Sequence, residues 1–185
     1  MANVDTPVPG YPHIIIRNDP DKNPTFHLTV LEQLALIASK PIGKKLLKAI
    51  SEGKGAPSVG YKVAIMRADN KVDLTTQDAK WSGGNVCVRV SEEKAGNGQG
   101  SPSAIKYNPN LMKTPDGERP PWVGLAHELC HALHNIQGTA KVGNDLIRSE
   151  EEVTVGLGEW AADDKAINEN NIRKEHGIKK RKSYT

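Results

Sequence analysis

The sequence predicts a single α+β domain, and three observations carry that prediction. Lys62–Arg67 and Asn85–Val90 are apolar runs rich in β-branched residues, the second alternating cleanly, and both read as strands. From Trp122 onward the pattern turns helical in three successive segments, each followed by glycine. A length of 185 residues suits one domain, and strands followed by packed helices are the α+β pattern. Aromatic residues make up only 4%, so the core must come from Leu, Ile, Val and Ala.

In chain order, residues 1–12 carry three prolines and read as a flexible N-terminal arm ahead of a domain over 13–185. His13–Arg17 is a short strand. Thr29 and Glu32 have capping-box spacing, and Val30, Leu31, Leu34, Ile37 and Ala38 follow at helical period. Pro41 opens a second helix, with Ile42, Leu46, Ala49 and Ile50 on its apolar side. Gly53–Gly60 is a loop, and Ala95–Pro102 reads as a mobile loop by composition. Ala104–Tyr107 is a last strand before a long loop over Asn108–Pro121. Three helices complete the chain, at 122–137 before Gly138, at Asp145–Val155 before Gly156, and at Glu159–His176 before Gly177. The sheet is expected to be small and mixed or antiparallel, packed against the helix at 122–137 and the helices after it.

Composition excludes several function classes. With 25 basic and 22 acidic side chains the net charge is +3, too small for nucleic-acid binding to be the expected role. The longest uninterrupted apolar stretch, Leu34 to Ala38, cannot cross a bilayer, so no membrane partner is expected. Met1–Gly10 has no hydrophobic segment of the kind a cleavable secretory signal needs. Two cysteines, Cys87 and Cys130, make no disulfide framework.

Chemistry concentrates in Gly124–Gly138, which contains His127-Glu128-x-x-His131. On a helix the two histidines lie four residues apart on one face, so both imidazoles can reach one Zn²⁺. Glu128 sits about 100° round the helix from His127, within reach of a water at that metal. Leu125, Leu129, Leu133 and Ile136 fall on the opposite side and form the core stripe. Chance placement of 6 histidines would give this pattern in roughly one chain in a hundred.

A catalytic zinc needs a third protein ligand. The metzincin pattern does not fit, because His134 and Gln137 stand where it requires Gly and His. Glu151 lies 20 residues after His131, the thermolysin-type spacing for a glutamate ligand, inside the run Glu150-Glu151-Glu152. Cys87 on its predicted strand is the competing ligand, as in peptide deformylases, and Asp145 is a further candidate. Glu150 and Glu152 stay open too. His134 is read as orienting a ligand or lining the cleft, and Cys130 as a small packed hydrophobe.

The stretch His127-Glu-Leu-Cys-His-Ala-Leu-His-Asn-Ile-Gln-Gly138 resembles the zinc helix of botulinum and tetanus neurotoxin light chains. Glu150-Glu-Glu-Val-Thr-Val-Gly156 is similar to their Glu-Glu-x-x-Thr-x-Gly segment, which implies Glu151 as the ligand. Arg181-Lys-Ser-Tyr184 resembles their Arg-x-x-Tyr pair, implying that Arg181 and Tyr184 stabilise the transition state. Over about 122–184 the chain is most similar to small type III effector metalloproteases of the NleD-like family, the tail from Asn168 to Tyr184 included.

The resemblance implies a compact zincin-like zinc endopeptidase. It would be secreted into the host-cell cytoplasm and cut host signalling proteins, with MAP kinases the substrates implied; a monomer is expected. His127, His131 and Glu151 would bind zinc, with Glu128 as general base and Arg181 and Tyr184 as further catalytic residues. Substrate is expected to lie extended along residues 85–90 by β-addition. Two other readings remain at this point: a non-enzymatic zinc-stabilised module that binds a partner, and a deformylase-like amidase using Cys87.

Overall fold

A computed structural model describes residues 3–53, 60–68, 84–114 and 117–184. The β-strands β1 (Val4–Val8), β2 (Tyr11–Asn18), β3 (Val63–Arg67), β4 (Val86–Arg89) and β5 (Ser103–Tyr107) form a mixed sheet of order β1-β2-β3-β5-β4. β2, β3 and β5 run parallel to one another, while β1 and β4 pair antiparallel at the two edges. A parallel pair needs a crossover, and α1 (Phe26–Ala38) with α2 (Pro41–Glu52) supplies the one from β2 to β3. Ile14, Ile16, Val63, Ile65 and Ile105 from the central strands are completely or almost completely buried. Against them pack Phe26, Val30, Leu46 and Ile50 of the first two helices and Leu125 and Leu129 of α4 (Pro121–Gln137). The scarcity of aromatics is met as expected by an aliphatic core.

The proline-rich start is no free arm over its described residues. β1 occupies Val4–Val8, turns at Gly10 (φ 80°) and pairs with β2. Asp5 and Arg17 are direct cross-strand partners, and two guanidinium hydrogen bonds of 2.7 Å join them. An edge strand tolerates proline because one side needs no ladder donors, and that is where Pro7 sits.

Four other expectations are corrected. The first helix starts at Phe26, so Thr29 is not its cap; its hydroxyl donates back to the Thr25 carbonyl at 3.0 Å. The glycine-rich stretch after residue 94 begins inside α3 (Glu92–Gly96), capped by Ser91, and is then tied to the end of α4. Those ties run from Gly98 N to Gly138 O and from Ser101 N to Asn135 O. The segment 108–121 holds a two-stranded ladder of β6 (Lys113–Thr114) and β7 (Gly117–Glu118). Helix α6 runs only over Glu169–Glu175, not from Glu159. Upstream of it, a 3-10 turn at Gly158–Ala161 leads into a segment held by the Asn171 side-chain amide, which donates to Asp163 O and Ala166 O. Asn168 caps α6 by accepting from Asn171 N at 2.8 Å. Most of the predicted loop over 53–60 lies outside the described residues.

The helix ends are legible in the sequence. α4 stops at Gly138 (φ 73°), and α5 (Ile147–Val155) stops at Gly156 (φ 80°), both left-handed positions where glycine carries no Cβ penalty. Gly156 also lets α5 approach the cap of α6, since a Cβ there would stand 2.5 Å from the Asn168 amide carbon. Gly156→Ala is therefore expected to lose about 1–3 kcal/mol through strain and overpacking. Urea unfolding checks this, and an unchanged midpoint would contradict it.

Candidate metal centre

Helix α4 sets two residue classes on opposite faces. Leu125, Leu129, Leu133 and Ile136 turn into the core, at most 3% exposed, while His127 and His131 face a cleft of about 280 Å³. Glu128 lines the same cleft and is only 6% exposed. Helix α5 brings up Glu151 against the two histidines. His127 Nε2 and His131 Nε2 stand 3.2 Å apart, and Glu151 Oε2 lies 3.2 and 3.3 Å from them.

That triangle has the size of a zinc-binding face. Donors about 2.0–2.1 Å from a tetrahedral zinc lie roughly 3.3 Å from one another. The outer ring nitrogens support the same reading. His127 Nδ1 donates to Glu169 at 2.8 Å, and His131 Nδ1 meets Glu150 at 3.1 Å and the Thr154 hydroxyl at 3.2 Å. With the protons at Nδ1, both Nε2 lone pairs and the Glu151 carboxylate converge on one point. Three acceptors at such distances repel unless a cation lies between them, so the donor set fits zinc.

Electrostatics point the same way. Burial opposes charge on His131, yet Glu150 and Glu151 outweigh it and raise its pKa to about 10. His127 is raised as well, burial being overcome by Glu151 and Glu169. Burial would raise the carboxylates, but the histidines win: Glu150 and Glu169 are lowered to about 2, and Glu151 falls far below its ordinary value. The pocket is strongly cation-seeking, whether for protons or for a metal.

Among the described residues, the His, Cys, Asp and Glu side chains close enough to share one ion are His127, His131 and Glu151. The other candidates stand elsewhere. Glu150 accepts from His134 Nδ1 at 2.8 Å and from Lys141 N at 2.7 Å, so it braces the site from behind. Glu152 pairs with Arg148 at 3.0 Å, and Asp145 lies exposed in a 3-10 turn. Cys87 lines the cleft, but its sulfur accepts from Asn135 at 3.6 Å, and burial pushes its thiol pKa up. A thiolate ligand needs the reverse. Cys130 is completely buried, as a packed hydrophobe should be.

Residues 181–184 fold back onto the site. Tyr184 lines the cleft with its ring parallel to His127, centroids 6.5 Å apart. Arg181 is 8% exposed, with its guanidinium 5.3 Å from the Tyr184 ring centre and 3.4 Å from Glu169. Asn170 fastens this turn in both directions, accepting from Arg181 N at 2.7 Å and donating to Arg181 O at 3.0 Å.

Sequence reasoning missed Glu169, the most deeply buried carboxylate of the site. It is 0% exposed and holds His127, Arg173 (2.6 Å) and Arg181 together. Its one local signal is Arg173 four residues on, the spacing of a helical ion pair. Glu169→Gln is expected to weaken zinc binding about ten- to a hundred-fold, the usual cost of losing a carboxylate behind a histidine ligand. Competition against a chromogenic chelator reads this, and wild-type affinity would contradict it.

Comparisons with known proteins bear on the family and the fold. The Peptidase M91 family model, described as effector protein, matches residues 16–184. No curated protein matches significantly by sequence. Among solved structures, the catalytic domain of Clostridium botulinum neurotoxin serotype F superposes with a TM-score of 0.55 at 19% identity. That alignment covers 76% of this chain and 43% of the domain. A serotype F light chain gives 0.53 at 18% identity, covering 85% and 49%. The chain thus spans less than half the length of the structures it matches, and at this identity the likeness is one of fold.

Proposed function

The chain belongs to the Peptidase M91 effector family, and from that premise we propose that it is a zinc-dependent endopeptidase acting on host proteins. The observation that carries this reading is the acceptor triangle of His127, His131 and Glu151, opening onto a cleft that Glu128 and Tyr184 also line. Zinc held by those three residues would supply Lewis-acid polarisation of a peptide carbonyl.

The protein's own groups do the rest. Glu128 takes the proton of the attacking water and hands it to the departing amine. Tyr184 donates its O–H to the oxygen that gains negative charge. Burial, with Glu151 and Glu128 nearby, pushes the Tyr184 phenol up to about 12, so it remains a neutral donor at physiological pH. Arg181 positions that ring and neutralises Glu169 behind His127. Substrate lies extended along the outer edge of β4, the strand that borders the cleft.

The description of the family as effector protein supports delivery into a host cell, where action as a monomer is part of the proposal. MAP kinases are proposed as substrates on the NleD-like resemblance alone. The test is incubation with host-cell lysate, with and without chelator, followed by identification of new protein termini. Chelator-sensitive cuts are expected, and a cut set indifferent to chelator would overturn the proposal.

Glu128→Gln should keep zinc and fold while cleavage falls about a hundred- to ten-thousand-fold; near-normal turnover in that variant would remove Glu128 from its role. Tyr184→Phe should lower kcat about ten- to a thousand-fold with KM little changed. An effect confined to KM would make Tyr184 a binding residue instead.

A further inference from the structure

The cleft has a second pole, opposite in charge to the metal site. Among the described residues β4 is an edge strand, paired with β5 on its inner side. Cys87 and Arg89 share one face of β4 by strand period and both line the cleft, as do Val86 and Asn85, the residue just before the strand. Cys87 meets Asn135 of α4, which fixes that face toward the zinc helix. Arg89 is the last residue of β4, and its Nη1 is buried with no hydrogen-bond partner. Lys141, just beyond the end of α4, lines the same cleft with its side chain exposed. Its backbone N–H is taken by Glu150, and among the described residues no carboxylate pairs with its ammonium or with Arg89.

A buried guanidinium N–H without an acceptor is costly, typically about 1–3 kcal/mol. Three cleft carboxylates, Glu128, Glu150 and Glu151, stand in the same cavity without an ion pair to it. The acceptor it lacks is one a bound chain can bring.

We propose that Arg89, assisted by Lys141, is a specificity site that recognises an anionic side chain of the substrate. The inference rests on the endopeptidase reading and names the substrate class of that same cleft. Arg89 is two residues beyond Cys87 on β4, about 7 Å along the strand. A chain added alongside β4 therefore places the recognised side chain within about two or three residues of the scissile bond. Arg89 offers a planar fork that accepts a carboxylate or phosphate through paired hydrogen bonds, and Lys141 adds a point charge.

The experiment uses the zinc-loaded full chain and a defined peptide library with Glu, phosphoserine, Gln and Lys varied through the six positions around each cut, products being read by mass spectrometry. Wild type is expected to favour an anion over Lys at one such position by about ten- to a hundred-fold, the scale of one charge-assisted hydrogen bond. The Glu and phosphoserine arms decide between carboxylate and phosphate. Arg89→Glu should invert the preference at that position, with Lys now favoured, while zinc content stays at one equivalent. A merely structural arginine would lower all rates together and leave the Glu-to-Lys ratio unchanged, and that result would overturn the inference. Chelator-sensitive cleavage without anionic preference would also overturn it and leave the endopeptidase reading standing. No chelator-sensitive cleavage of any peptide would bring down both.

Discussion

Three hydrogen-bond acceptors forced to within 3.3 Å of one another are the constraint on which the rest of this site depends. Two imidazole nitrogens and a carboxylate oxygen gain nothing from that closeness in the absence of a cation. The chain maintains it through a ring of supporting groups. Glu169 and Glu150 occupy the outer nitrogens of His127 and His131, so the inner lone pairs have one direction left. Arg173 and Arg181 balance Glu169, which would otherwise be an isolated buried carboxylate. Asn168, Asn170 and Asn171 then attach the supporting helix to its cap, to the returning segment and to the preceding turn. Four consecutive residues, 168–171, each hold a different piece of the site in place.

The fold serves this arrangement economically. The mixed sheet provides a floor under α4 and, among the described residues, places β4 at its edge beside the cleft. Less than half the length of a botulinum light chain is spanned, yet 76% to 85% of this chain is covered by the two serotype F alignments. Elements away from the cleft are tied by specific contacts as well as by the core. Glu175, for example, reaches back to cap the start of α2 by accepting from Ile42 N at 2.7 and 3.0 Å.

Local periodicity made much of this legible in advance. The α4 boundaries, the opposed histidine and leucine faces and the strands at 62–67 and 85–90 follow from spacing alone, because each depends on near neighbours in sequence. The placement of Glu151 followed from spacing and resemblance together. Glu169 was illegible because its role is to meet His127, 42 residues away, and nothing around it announces that contact. β1 was misread for a related reason. Prolines mark an arm until a partner strand is known, and only the pairing of Asp5 with Arg17 turns them into an edge. The Thr29 capping box failed because the helix had already begun at Phe26, whose burial against the sheet outweighs a cap. In 159–176 helical spacing was overridden by side-chain amides that satisfy the backbone in another form.

X-ray absorption at the zinc edge of the wild-type holoprotein tests the central claim most directly. The account predicts a first shell of nitrogen and oxygen only, at about 2.0–2.1 Å, with outer-shell scattering from two imidazoles. A sulfur neighbour at about 2.3 Å would place Cys87 or Cys130 on the metal and contradict it, as would an imidazole count other than two.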